Sequence, residues 1–155
     1  WNSGKLIADG SGIRFPVPFV ETEAYPGFPT DLQSPLLAVL ATIRGESHIR
    51  ENIFENRFKI CDELAQMGAV VVPEGRNVRI TGGRLHGSRM RAEDLRGGAA
   101  LMIAALAADG KSVIAGSSFI RRGYEDICRD LRMLHADVYE SGPAEEERFD
   151  HRGYR

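Results

Sequence analysis

Apolar residues recur along this chain with two alternating periods. Over residues 30–43 they fall at Leu32, Leu36, Leu37, Leu40 and Ile43, the spacing of one helix face, and the run stops at Gly45. A second helical run carries Leu95, Ala99, Met102, Ile103 and Leu106 and stops at Gly110. Thr30-Asp31 and Glu93-Asp94 open the two runs with side chains able to cap free N–H groups. Each closing glycine suits the position just past a helix end. Residues 47–54 and 112–120 follow these helices and read as β stretches. Each leads into a shorter helical pattern, Ile60-Cys61-Asp62-Glu63-Leu64 and then Ile127-Cys128-Arg129-Asp130-Leu131. Met67 and Leu134 extend the apolar face one turn further, and Ala69 and Ala136 match at the same offset. Strands are predicted next at Val70, Val71 and Val72 and at Asp137, Val138 and Tyr139. The first copy adds an alternating strand over residues 77–81, after a turn at residues 73–76.

The same order of elements is thus written twice, strand–helix–strand–helix–strand, which predicts an α/β fold with βαβ crossovers. Residues 17–92 are expected to form the first repeat unit and 93–142 the second. Residues 1–16 read as the remnant of a preceding repeat. Residues 143–155, charged and almost free of aliphatic side chains, read as a flexible tail. Cys61 and Cys128 fall at equivalent core-facing positions, where a small hydrophobe explains them better than a nucleophile.

Composition narrows the function classes. The 155 residues are 43% hydrophobic and 27% charged, with a formal net charge of −2. That balance argues against disorder and against a nucleic-acid binder working through bulk positive charge. Two cysteines make no disulfide scaffold, and no cysteine–histidine cluster has zinc spacing. The charge-free run over residues 97–108 is too short to span a bilayer, and the first five residues show no basic-then-apolar leader pattern. A cytoplasmic protein without metal, cofactor or membrane contact is expected. Of the 20 basic residues, all but Lys5, Lys59 and Lys111 are arginine, whose planar fork fits carboxylate and phosphate.

Four blocks carry a more specific signal: residues 26–33 (Pro-Gly-Phe-Pro-Thr-Asp-Leu-Gln), 51–58 (Glu-Asn-Ile-Phe-Glu-Asn-Arg-Phe), 92–96 (Ala-Glu-Asp-Leu-Arg) and 122–125 (Arg-Gly-Tyr-Glu). In order and spacing the chain resembles the carboxy-terminal portion of the UDP-N-acetylglucosamine enolpyruvyl transferases, also called 1-carboxyvinyltransferases. The resemblance implies an inside-out α/β barrel fragment built from two βαβαββ-type repeats. It also implies enolpyruvyl transfer from phosphoenolpyruvate to the 3-hydroxyl of UDP-N-acetylglucosamine, the first committed step of peptidoglycan synthesis. No cofactor is needed. Family members are more than twice as long, and an amino-terminal lysine and a cysteine-bearing lid belong to the part not represented here. That missing part is therefore an implied partner. The chain by itself is expected to be inactive, and to self-associate through apolar surface left uncovered.

By this resemblance Asp31 is the carboxylate near the sugar hydroxyl, a general base or proton relay. Without the resemblance it reads as a helix cap. Arg96 and Arg122 bind the phosphoenolpyruvate anion, Arg96 from the first turn of its helix. Asp94 orients the arginines, contacts the sugar nucleotide or caps its helix. Arg57 either faces the substrate cleft or pairs with Asp62 or Glu63 within a helix. Ile53 and Phe54 either pack on the nucleotide or are ordinary strand residues. Three positions depart from the family pattern. Arg121 adds a charge beside Arg122, and Gly97-Gly98 loosens the third helix or lets a ligand approach. His135 replaces a glycine, so a different helix end is expected there. A non-catalytic nucleotide-sugar-binding paralogue and a shikimate-branch enolpyruvyl transferase are the competing readings. Intact Asp31, Arg96 and Arg122 argue against the first, and the Glu-Asn-Arg-Phe run argues against the second.

Overall fold

Period decides element type along most of the chain. In the computed structural model, which describes residues 7, 9–12 and 15–142, β1 (Val20–Glu21) leads through a 3₁₀ turn (Thr30–Leu32) into α1 (Gln33–Leu40). Then follow β2 (Gly45–Arg50), α2 (Cys61–Gln66), β3 (Val70–Glu74) and β4 (Asn77–Gly82). The second half holds β5 (Arg89–Arg91), α3 (Leu95–Ala107), β6 (Val113–Ala115), α4 (Ser117–Arg121) and α5 (Ile127–Met133). The tail expected at 143–155, and most of the leading segment 1–16, lie outside the described residues.

The first half builds a four-stranded sheet in the order β1-β2-β4-β3. β1 and β2 run parallel across the α1 crossover, whereas β4 pairs antiparallel with both β2 and β3. Ser47 lies opposite Ile80 and Ile49 opposite Val78, and all four are buried, while the alternate positions Glu46, Arg50, Asn77, Arg79 and Thr81 face solvent. That is the alternation of a sheet covered on one face only. Pro73, which has no N–H to give, sits in the edge strand β3. β5 and β6 pair parallel across α3 as a separate two-stranded sheet. Helices α1 and α3 pack on each other, α1 backing onto β2 and β4 and α3 onto β6. Leu37, Leu40, Leu64, Met67, Ile80 and Leu101 form the centre of the core between them.

The result is a mixed α/β domain. The first half has the order βαβαββ, but the second stops after β5–α3–β6 and its helices. Among the described residues no barrel closes and no second full copy of the unit forms. Residues 112–120 are strand only as far as Ala115, because Gly116 turns the chain at φ 80° into α4. Residues 137–139 form no strand. The first helix ends at Leu40 rather than running to Ile43, since Thr42 and Ile43 bond three residues back to Val39 and Leu40 and tighten the last turn. Gly45 then serves the entry into β2, not a helix end.

Candidate active site

A close backbone return builds the first wall. Between β1 and the 3₁₀ turn, the Glu23 N–H donates to the Phe28 carbonyl at 3.0 Å and the Gly27 N–H to the Ala24 carbonyl at 2.8 Å. A Cβ on Gly27 would stand 2.3 Å from the Glu23 Cβ, so only glycine lets this loop close. The return sets Thr30 beside the end of β2, where its hydroxyl donates to Glu51 Oε2 at 2.9 Å. Asp31 comes next, with an exposed side chain.

Asp31 is not spent on helix capping, for neither the turn nor α1 carries a side-chain cap bond. Its Oδ1 instead accepts from Arg96 Nε at 2.6 Å, a contact between residues 65 positions apart. A guanidinium has five N–H donors, and among the described residues this bond is the only one that Arg96 makes. The terminal nitrogens of Arg96 are thus open to an anion. Arg96 stands in the first turn of α3, whose end is capped by Asp94, the Oδ1 accepting from the Gly97 N–H at 2.8 Å. Capping is therefore the role in which the structure places Asp94.

Glycines draw other segments to this helix end. A Cβ on Gly97 would meet Ile60 Cγ2 at 3.0 Å, and one on Gly98 would meet Ile120 Cγ1 at 2.6 Å. The pair allows close packing of neighbouring segments on the helix, and both residues are buried. One on Gly123 would lie 2.8 Å from Leu95 Cδ1, so the end of α4 rests against the residue preceding Arg96. Arg122, the residue before Gly123, is exposed, and among the described residues its side chain makes no hydrogen bond or ion pair. The charge of neighbouring Arg121 is answered by Glu140 rather than left beside Arg122.

Ile53, Phe54 and Arg57 lie in the loop between β2 and α2, not in a strand or helix. Ile53 and Phe54 are 43% and 49% exposed, which separates them from core strand residues. The Arg57 guanidinium stacks 4.5 Å from the Phe54 ring centroid and pairs with neither Asp62 nor Glu63. Among the described residues no hydrogen bond or ion pair joins these three to Asp31 or Arg96.

Glu51 was not singled out by sequence reasoning, and it connects the two regions. Its side chain is 1% exposed. Oε1 accepts from the Thr22 hydroxyl at 2.9 Å, the Ile53 N–H at 2.9 Å and the Phe54 N–H at 3.0 Å, while Oε2 accepts from Thr30. Burial opposes its ionisation, but the Phe54 N–H, the Thr22 and Thr30 hydroxyls and the Ile53 N–H prevail and hold the carboxyl below the usual range. The signal was available: Ser47, Ile49 and Glu51 continue the inward period-two face of β2. Gln33, fully buried two residues after Asp31, was also passed over; Ser34 donates to its Oε1 at 3.1 Å, and its Nε2 has no partner among the described residues.

The family model for EPSP synthase (3-phosphoshikimate 1-carboxyvinyltransferase) matches residues 3–131. The chain belongs to this enolpyruvyl transferase family. Among its relatives, the UDP-N-acetylglucosamine 1-carboxyvinyltransferase of Desulfofundulus thermocisternus is 50% identical over 121 residues, covering 77% of this chain and 50% of the relative. The enzyme of that name from Thermus thermophilus is 44% identical over 146 residues, covering 90% of this chain and 34% of the relative. The crystal structure of the enolpyruvyl transferase NikO from Streptomyces tendae superposes with a TM-score of 0.70 at 34% identity, over 81% of this chain and 30% of NikO. The chain thus spans a third to a half of the length of these curated relatives. No helix among the described residues is long and apolar enough to cross a membrane.

Proposed function

We propose that this chain is the part of a UDP-N-acetylglucosamine enolpyruvyl transferase that supplies the sugar-side carboxylate and two of the phosphate-side cations. The observation that carries the reading is the pairing of Asp31 with Arg96 across 65 positions, with the rest of the guanidinium unengaged among the described residues. In this reading Asp31 takes the proton from the sugar 3-hydroxyl as that oxygen bonds to C2 of phosphoenolpyruvate. C3 of phosphoenolpyruvate gains a proton, giving a tetrahedral adduct. Loss of a C3 proton and departure of phosphate from C2 then leave the enol ether. Arg96 and Arg122 hold the carboxylate and phosphate charge through these steps. An anion on the Arg96 fork competes with Asp31 for the same guanidinium and leaves the carboxylate free to act. Ile53, Phe54 and Arg57 form the surface for the nucleotide, and Asp94 holds the α3 end behind Arg96.

The fold belongs, in this reading, to an inside-out α/β domain whose remaining repeats and partner domain lie in the other two-thirds of the enzyme. Those parts close the cleft and cover Met133 and Leu134, which are 74% and 76% exposed. The chain alone self-associates and does not turn over, because a single wall excludes no water. A cytoplasmic location and a place at the start of peptidoglycan synthesis follow from the substrates.

A chimera tests this: the chain replaces the matching third of the Thermus thermophilus relative, and phosphate release is measured. Release should need both phosphoenolpyruvate and UDP-N-acetylglucosamine and fall by about 10²–10⁴ in Asp31→Asn. Full activity in that variant would remove Asp31 from the chemistry. The name of the matching family model favours a second reading, in which 3-phosphoshikimate is the acceptor. Release with that acceptor and not with the sugar nucleotide would establish it.

A further inference from the structure

Asp31 and the Ile53–Phe54 surface lie on different segments, yet both hang on one buried side chain. The Thr30 hydroxyl, one residue before Asp31, bonds to Oε2 of Glu51, and the N–H groups of Ile53 and Phe54 bond to its Oε1. Thr22, at the end of β1, donates its hydroxyl to the same Oε1 and accepts from the Asn52 N–H at 2.9 Å. From behind, Arg76 in the β3–β4 turn donates to the Asn52 carbonyl at 3.0 Å, and its own carbonyl accepts from the Glu51 N–H at 2.8 Å. Three segments therefore converge on one carboxylate. The N–H groups of residues 52, 53 and 54 are all consumed by this network, which is why the strand predicted to run to residue 54 stops at Arg50. Without this carboxylate the two hydroxyls and the two N–H groups would each lose their acceptor.

We propose that Glu51 is the positioning residue of the site: its carboxylate fixes the turn carrying Asp31 against the loop carrying Ile53 and Phe54. It touches no substrate. It sets the spacing between the proton acceptor and the nucleotide surface, and that role rests on the function proposed above. The Oε2 arm serves Asp31 alone, and the Oε1 arm serves the loop, so the two effects are separable.

Two variants separate them. Thr30→Val keeps the shape of Thr30 and removes only the Oε2 arm, whereas Glu51→Ala removes both. In the 155-residue chain, NMR of the Arg96 Nε–H and of the Asp31 carboxyl carbon reads the ion pair directly, with no need for turnover. Both variants should shift these signals and raise Nε–H exchange about tenfold, whereas only Glu51→Ala should expose the Ile53 and Phe54 amides. In the chimera, Thr30→Val should lower kcat roughly tenfold with KM for UDP-N-acetylglucosamine held within about twofold, and Glu51→Ala should change both. A purely structural Glu51 would lower the unfolding midpoint and leave kcat, KM and the ion-pair signals of the folded molecules unchanged. That result overturns the proposal. If the unmutated chimera fails to release phosphate, the function proposed above fails instead, and the Arg96 and Asp31 signals still decide the role of Glu51.

Discussion

Helices α2 and α5 begin from nearly one sequence and end in different surroundings. In α2, Cys61 is 3% exposed and Leu64 and Met67 are fully buried. In α5 no residue is buried, although Leu131 and Leu134 hold the matching positions. The helices themselves are not the cause. After α2 the chain forms the hairpin β3–β4, whose first strand packs back on the helix, and α3 covers another side. After α5, residues 137–139 form no strand, and the helix rests on a small cluster of Ala92, Met102 and Ile120. Periodicity states which face of a helix is apolar. Whether that face is covered depends on elements supplied from elsewhere.

The sharpest way to break this comparison is to remove the same side chain from each helix. Leu64→Ala should cost about 2–5 kcal/mol in urea unfolding, while Leu131→Ala should cost less than about 1 kcal/mol. Equal losses would mean that α5 is covered as fully as α2. The cysteines offer a smaller contrast. Burial, with the Asp62 charge adding to it, pushes the Cys61 thiol up to about 12, so it holds almost no thiolate at pH 8. Burial and the Glu140 charge also raise Cys128, but that thiol is partly open to solvent. A thiol reagent at pH 8 should therefore modify Cys128 at least about tenfold faster than Cys61. A Cys61 that reacts as fast would show that the α2 face opens readily.

The contrast also explains what could be read from the chain. The longest helix and the alternating strand were legible because their patterns are local: α3 starts at its predicted cap, Asp94, and β4 alternates as written. The end of β2 was not legible, because it depends on where a side-chain carboxylate sends its oxygens. The strand predicted over residues 112–120 failed at Gly116, where a left-handed residue starts a short helix. For the site, residue types pointed to an acid and arginines, but only the packing of α1 on α3 shows that Asp31 and Arg96 meet. Gly97 and Gly98 were read as loose helix or ligand approach, whereas Ile60 and Ile120 occupy the space a side chain would need.

The smallest contrast lies at the two helix ends. Past α2, Gly68 stands at φ 100°, its N–H donating to the Ala65 carbonyl at 3.0 Å while the Ala69 N–H donates to Leu64 at 3.1 Å. Past α5, His135 stands at φ 64°, with its N–H on the Arg132 carbonyl at 2.9 Å and the Ala136 N–H on Leu131 at 3.1 Å. Both ends use one two-bond motif, so the histidine does not create the different helix end its sequence suggested; it adopts the glycine conformation. A residue with a Cβ pays about 1 kcal/mol there, part of which a glycine returns through greater freedom in the unfolded chain. His135→Gly should thus raise stability by about 0.5–1 kcal/mol in urea unfolding. Gly68→Ala should lower it by more, since its Cβ would also stand 2.8 Å from His86 Cε1. If His135→Gly leaves the midpoint in place while Gly68→Ala lowers it, the cost at the α2 end comes from His86 rather than from the backbone. The exposed end of α5 then tolerates a left-handed histidine because nothing packs against it.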